Sequence, residues 1–174
     1  YRMIRVFLKL LMILLLVFFA GLLIPQGFQM PVDGATSADY NPETFWYYPW
    51  GKSVTHKGVD IFAREGTLLY PSTPGLVVFS GQLGMGGNVI LILGPKWRFH
   101  YYAHLHDVRV KPFSWASKKK VIGTVGSSGN AAGKPTHPHY SIVTPIPHFW
   151  RIDESKQGWK KMFYMNPVDD LKKL

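Results

Sequence analysis

Residues 68–105 read LLYPSTPGLVVFSGQLGMGGNVILILGPKWRFHYYAHL, and this stretch decides the fold class. Leu68-Leu69-Tyr70 is followed by the breaker run Pro71 to Gly75, then by Leu76 to Ser80, the turn Gly81 to Gly87, Asn88 to Leu93, and Phe99 to Leu105. Short β-branched and aromatic runs bounded by Gly and Pro, without a helical period, predict β-strands. Val121 to Val125 and His139 to Val143 continue the series, so the domain is expected to be all-β. The glycine-rich turn Gly81 to Gly87 leads into a strand, not a helix, so it lacks the helix N-terminus of a phosphate loop and reads as a hairpin turn. Near the C-terminus, Asn166-Pro167 precedes VDDLKKL. Proline at the start, acids early and lysines late predict one or two turns of helix.

Outward from this core, Val6 to Ile24 reads VFLKLLMILLLVFFAGLLI, apolar except for Lys9, and Pro25 ends the run. A membrane span needs about 20 apolar residues, and Lys9 can carry its amine to the interface. Residues 4–24 are expected to enter the membrane, as an uncleaved anchor in the favoured reading or as a secretion signal in the other. No small-x-small cleavage site is evident downstream. Arg2, Arg5 and Lys9 hold the N-terminus on the cytoplasmic side, which exports the rest. The organisation expected is therefore 1–25 membrane anchor or signal segment, 26–44 tether and 45–174 β domain. The aromatic run Phe45 to Trp50 either packs against that domain or walls a groove on it.

The chain has 174 residues, 20 Lys and Arg against 10 Asp and Glu, a net charge of +10 and no Cys. A basic surface suits polyanions such as anionic lipid or wall polymer, and export argues against nucleic acid as the partner. With no thiolate available, any metal must be held by His and carboxylate. Gly126-Ser127-Ser128-Gly129 does not fit the spacing of a serine nucleophile elbow.

The seven histidines lie at 56, 100, 104, 106, 137, 139 and 148. In a straight strand His56 and Asp60 would stand about 13 Å apart. To share a ligand the chain must bend between them, and Gly58 permits that. Spacing alone favours a plain surface turn carrying a His and an Asp. His137 and His139 leave one face of an extended chain roughly 7 Å apart, close enough for one to hold a metal and the other to face the substrate. Pro138 between them implies an edge or bulge. Alternation puts His100, Tyr102, His104 and His106 on one strand face, and spacing does not choose among them.

In chain order come His56-x-Gly58-Val59-Asp60, Gly87-Asn88, Tyr102-Ala103-His104-Leu105, Gly123-x-Val125-Gly126-Ser127-Ser128-Gly129 and His137-x-His139-Tyr140. This series resembles the lysostaphin-type (LytM-like) zinc metalloendopeptidases, which have the duplicated hybrid motif fold, over roughly residues 47–169. The resemblance implies Zn2+ held by His56, Asp60 and His139, with His104 and His137 as catalytic histidines that do not bind the metal. It also implies peptidoglycan as substrate and the bacterial envelope as location, with the catalytic domain in the periplasm or outside. Pro138, Ser141 and the aromatic, basic insertion 144–163 depart from the family pattern without removing a ligand.

Two imidazoles and one carboxylate leave zinc a fourth position for water, and either His104 or His137 is suited to take its proton while the other bonds the oxyanion. The alternative is a non-catalytic member that binds wall or activates another hydrolase as a regulatory partner. Such relatives typically lack ligands, and here the set is complete.

Overall fold

The computed structural model describes residues 2–174. Helix α1 (Arg2–Leu23) carries the N-terminal apolar run and leaves nearly all its side chains exposed. The remainder is built on antiparallel strands, as expected: β1 (Val59–Asp60), β2 (Leu68–Leu69), β3 (Gly75–Gln82), β4 (Asn88–Leu93), β5 (Phe99–Val108), β6 (Trp115–Ala116), β7 (Gly123–Val125), β8 (His139–Val143) and β9 (Tyr164–Met165). They join in the order β1-β8-β5-β4-β3-β6, with β7 bridging β2 and β5, and β9 beside β8. Expected and observed limits coincide for β4 and β8; the run from Val121 yields only the three residues of β7. A short helix, α2 (Val168–Leu171), closes the chain, with Val168 and Leu171 buried and the Asn166 side chain accepting from the Val168 amide at 3.1 Å. Val59, Ile61, Leu69, Ile90, Ile92, Tyr102, Leu105, Tyr140 and Ile142 centre the core.

Three local features differ from expectation. Residues 26–44 form no regular strand, yet they do not hang free. Val32 pairs with Leu69 and Tyr40 with Ile61 in single β-bridges, and both side chains are buried in the core. Pro138 lies just before β8, a strand flanked on both sides, rather than at an edge. Its missing N–H costs the sheet nothing there, and its carbonyl accepts from the Ile61 amide at 3.1 Å. The aromatic run serves both roles considered for it: Trp46 is buried with its indole donating to the Lys156 carbonyl, and Trp50 walls the cleft described next.

Candidate active site

His56 precedes β1, Asp60 ends it, and His139 begins β8. The register sets Asp60 opposite His139. Gly58 makes this approach possible through its lack of a side chain rather than through an unusual φ: a Cβ there would collide with the Tyr140 carbonyl and come within 2.6 Å of Ser141 Oγ. His56 Nε2, Asp60 Oδ1 and His139 Nδ1 then form a small triangle, with separations of 3.0 Å, 3.0 Å and 2.8 Å.

The outer ring nitrogens decide what this triangle is. His56 Nδ1 donates to the Thr44 carbonyl at 3.1 Å. His139 Nε2 donates to Ser141 Oγ at 2.8 Å, because the serine hydroxyl itself donates to the Lys57 carbonyl at 2.9 Å. With those N–H groups committed, the neutral rings turn bare lone pairs toward each other and toward a carboxylate oxygen. Three acceptors in mutual contact, largely out of water, are a set suited to hold a cation between them. Two ligands at about 2.0–2.1 Å from a tetrahedral ion stand about 3.3 Å apart, close to the spacing found. Among the described residues these three form the metal-suited group. Burial alone raises the Asp60 carboxyl, but its two imidazole neighbours, His139 and His56, outweigh that and hold it well below the usual carboxylate range. Burial also keeps the His139 ring below the ordinary imidazole value, against the pull of Asp60.

His104 and His137 stand beside the triangle, their rings 5.4 Å apart, with His104 6.2 Å from the His139 ring. His137 Nδ1 donates to the Pro135 carbonyl at 2.6 Å and His104 Nδ1 to the Ser128 carbonyl at 3.0 Å. So fixed, each ring in its neutral form keeps Nε2 as an acceptor, and that of His137 is 3.7 Å from Asp60 Oδ2. Burial first, then the neighbouring His139, brings the His104 pKa down to about 4, so it is uncharged near neutral pH.

The alternation expected along β5 fails at this point. Between the pairs Ile90↔Tyr102 and Asn88↔Leu105, β5 carries one more residue than β4, and His104 has a φ of +64°. This bulge turns His104 into the cleft, while His100 and Tyr102 stay in the core. His100 is buried against the Tyr140 hydroxyl, and exposed His106 pairs with Glu65 outside the cleft. Asn88 holds the bulge: its Nδ2 donates to the carbonyls of Leu105 at 3.1 Å and His106 at 3.0 Å, and its amide donates to Ser128 Oγ at 2.9 Å. The cleft itself measures about 660 Å³ and has apolar walls that include Trp50, Phe62, Tyr101 and Tyr164. Trp50 stacks on His56 with ring centres 4.1 Å apart.

Sequence reasoning brought the five histidine and aspartate positions to notice, and the fold gathers all five in one cleft. It did not find the groups that set their tautomers, since three of these, at Thr44, Ser128 and Pro135, are backbone carbonyls without a residue signature.

Residues 54–148 match the model for peptidase family M23. The L-Ala--D-Glu endopeptidase of Bacillus subtilis (strain 168) is 33% identical over 126 residues, 67% of this chain and 37% of that protein. Peptidoglycan DD-endopeptidase ShyA of Vibrio cholerae is 30% identical over 114 residues, 65% of this chain and 26% of that protein. The chain therefore spans well under half the length of these relatives. The catalytic domain of lysostaphin from Staphylococcus simulans superposes with a TM-score of 0.58 at 26% identity, covering 72% of this chain and 86% of that one.

Proposed function

Because this chain belongs to peptidase family M23, we propose that it is a zinc-dependent endopeptidase that hydrolyses peptide bonds in peptidoglycan stem peptides or cross-links. The observation that carries the reading is the triangle of unprotonated donors at His56, Asp60 and His139 beside two further imidazoles whose free nitrogens face the same cleft. The endopeptidase names of the relatives support the substrate class.

Zinc bound by His56, Asp60 and His139 supplies Lewis acidity toward the scissile carbonyl and acidifies a water. The protein's own groups do the rest. The Thr44 carbonyl and Ser141 keep the two ligand rings in the binding tautomer. One of His104 and His137 accepts the proton of the attacking water at Nε2 and passes it to the leaving amine. The other hydrogen-bonds the developing oxyanion in the form that carries a proton on Nε2, its Nδ1–H being held by a backbone carbonyl. The apolar cleft walls hold an extended peptide and thin out competing water. Residues 4–24 anchor the enzyme in the cytoplasmic membrane, with the β domain on the wall side.

Metal content of the full chain and digestion of purified sacculi test this together. Asp60→Ala and His139→Ala are expected to lose zinc and activity. His104→Ala and His137→Ala are expected to keep zinc and lose about 10²–10³ in rate. Undiminished zinc in Asp60→Ala and His139→Ala would sink the ligand assignment.

A further inference from the structure

The insertion between β8 and β9 takes no part in the cleft, and its placement points elsewhere. Val143, the last residue of β8, pairs with Phe99, the first of β5. The insertion therefore leaves the sheet beside the loop 94–98. Backbone bonds Thr144 to Phe163 and His148 to Met162, both 2.9 Å, fold it back on itself. At its turn Phe149–Arg151, Phe149 and Trp150 are 66% and 79% exposed, and Ile152 follows at 46%.

The loop 94–98 is where α1 docks. Trp97 stacks on Phe18 with ring centres 6.3 Å apart and donates its indole N–H to the Phe18 carbonyl at 2.8 Å. Gly21 lies under the same indole, where any Cβ would collide with the ring. The Arg98 guanidinium donates to the Gln26 side chain just past the helix. Arg98 is also close enough to Arg151 and His148 for their charges to act on one another.

These contacts fix a level. The Phe18 carbonyl lies five residues before the end of α1, about 7–8 Å along its axis. If α1 spans a bilayer, Trp97 sits within about 7–8 Å of the outer end of the span, close to the interface that tryptophan favours. The exposed aromatics of the insertion stand at that same end of the sheet, with Arg151 next to them in the chain and Arg98 and exposed Lys96 on the adjoining loop. Aromatic side chains edged by cations match an interface of acyl chains below anionic headgroups.

We propose that Phe149 and Trp150, edged by Lys96, Arg98 and Arg151, form a foot that rests on the outer leaflet of an anionic phospholipid bilayer beside α1. This rests on the reading of Arg2–Leu23 as a membrane span. The foot converts a single-helix anchor into a two-point seat and fixes the domain's tilt. From Phe99 at the foot to His104 at the site, β5 rises about 17 Å. The cleft is thus held away from the lipid and turned toward the wall.

The chain has no cysteine, so one introduced cysteine carries one environment-sensitive fluorophore. Full-length Trp150→Cys, Leu83→Cys and Leu14→Cys variants are labelled and reconstituted in phosphatidylglycerol/phosphatidylethanolamine vesicles containing spin-labelled lipids. Leu83 is half exposed at the opposite end of β3 and serves as the distal control. Headgroup-proximal spin labels are expected to quench the probe at 150 several-fold more than the probe at 83, and deep labels to quench the probe at 14. Quenching at 14 with equal signals at 150 and 83 overturns the foot and leaves the span standing. No quenching at 14 removes the span, and the proposal with it. A probe at 150 that shifts only when sacculi are added overturns the proposal in favour of a wall-binding patch.

Discussion

Ser141 does for His139 what the Thr44 carbonyl does for His56: it takes the N–H that the ring must turn away from the proposed metal. Its hydroxyl is buried and used twice, accepting from His139 Nε2 and donating to the Lys57 carbonyl. Ser141→Ala leaves both partners without a bond and frees the ring to change tautomer. Zinc affinity is expected to fall about 10–100-fold, read by competition with a chelator, and activity measured at saturating zinc is expected to recover in part. Unchanged affinity would mean that packing alone holds the ring. His100 shows the contrasting case of a histidine with no view of the cleft. Burial, and then Arg98, pushes its pKa down to about 3, and its place is beside Tyr140 in the core. At this scale the sequence revealed side chains of ligand type in a recognisable order. The serine, by contrast, reads there only as a departure from the pattern, since nothing in the sequence says that its hydroxyl lies between a ring and a carbonyl.

The decisive element is β5, a strand that changes face partway along. His104 adopts the left-handed region at a cost of roughly 1–2 kcal/mol, and its Nδ1 bond to Ser128 together with the three bonds from Asn88 offsets that strain. Asn88 does not line the cleft, so it acts through the bulge as a positioning residue. Asn88→Ala is expected to reduce kcat about 10–100-fold with zinc content unchanged and KM little altered, because the peptide still meets the same walls. Steady-state kinetics with a soluble stem-peptide substrate, alongside metal analysis, check it. Loss of zinc in that variant would place Asn88 in support of the ligands instead. The bulge was not legible beforehand. Alternation is a sound guide to a regular strand, and no glycine marks the extra residue between Tyr102 and Leu105. What the sequence does carry is Gly87-Asn88 and the Gly126 to Gly129 run, the two sides of the brace, without showing that they meet.

Over the whole molecule, the stretch 26–44 joins α1 to the site. Glycines, prolines and the absence of a period made it read as a tether, because its contacts come one residue at a time and leave no repeating pattern. The Gln29 amide donates to Ser72 at 2.9 Å, the Tyr70 amide to Pro31 at 2.7 Å, and the Phe62 amide to Asp39 at 2.8 Å. The strap ends at Thr44, whose carbonyl holds His56. Packing on the core therefore begins near Phe28, and before it the Gln26 side chain is already held by Arg98, which leaves little slack after α1. Val32 and Tyr40 are 1% and 6% exposed, so truncating them removes real core. Val32→Ala is expected to lower unfolding free energy by about 1–2 kcal/mol and Tyr40→Ala by about 3 kcal/mol. Tyr40→Phe gives the sharper comparison. The Tyr40 hydroxyl is buried without a partner, so removing it relieves a desolvation cost, and stability is expected to hold or rise. Denaturant unfolding of the full chain in detergent, followed by tryptophan fluorescence, measures all three. A strap that merely tethers would leave every variant at the wild-type midpoint. A packed strap separates Tyr40→Ala from Tyr40→Phe, and it ties the chain after α1 to the carbonyl that accepts from His56.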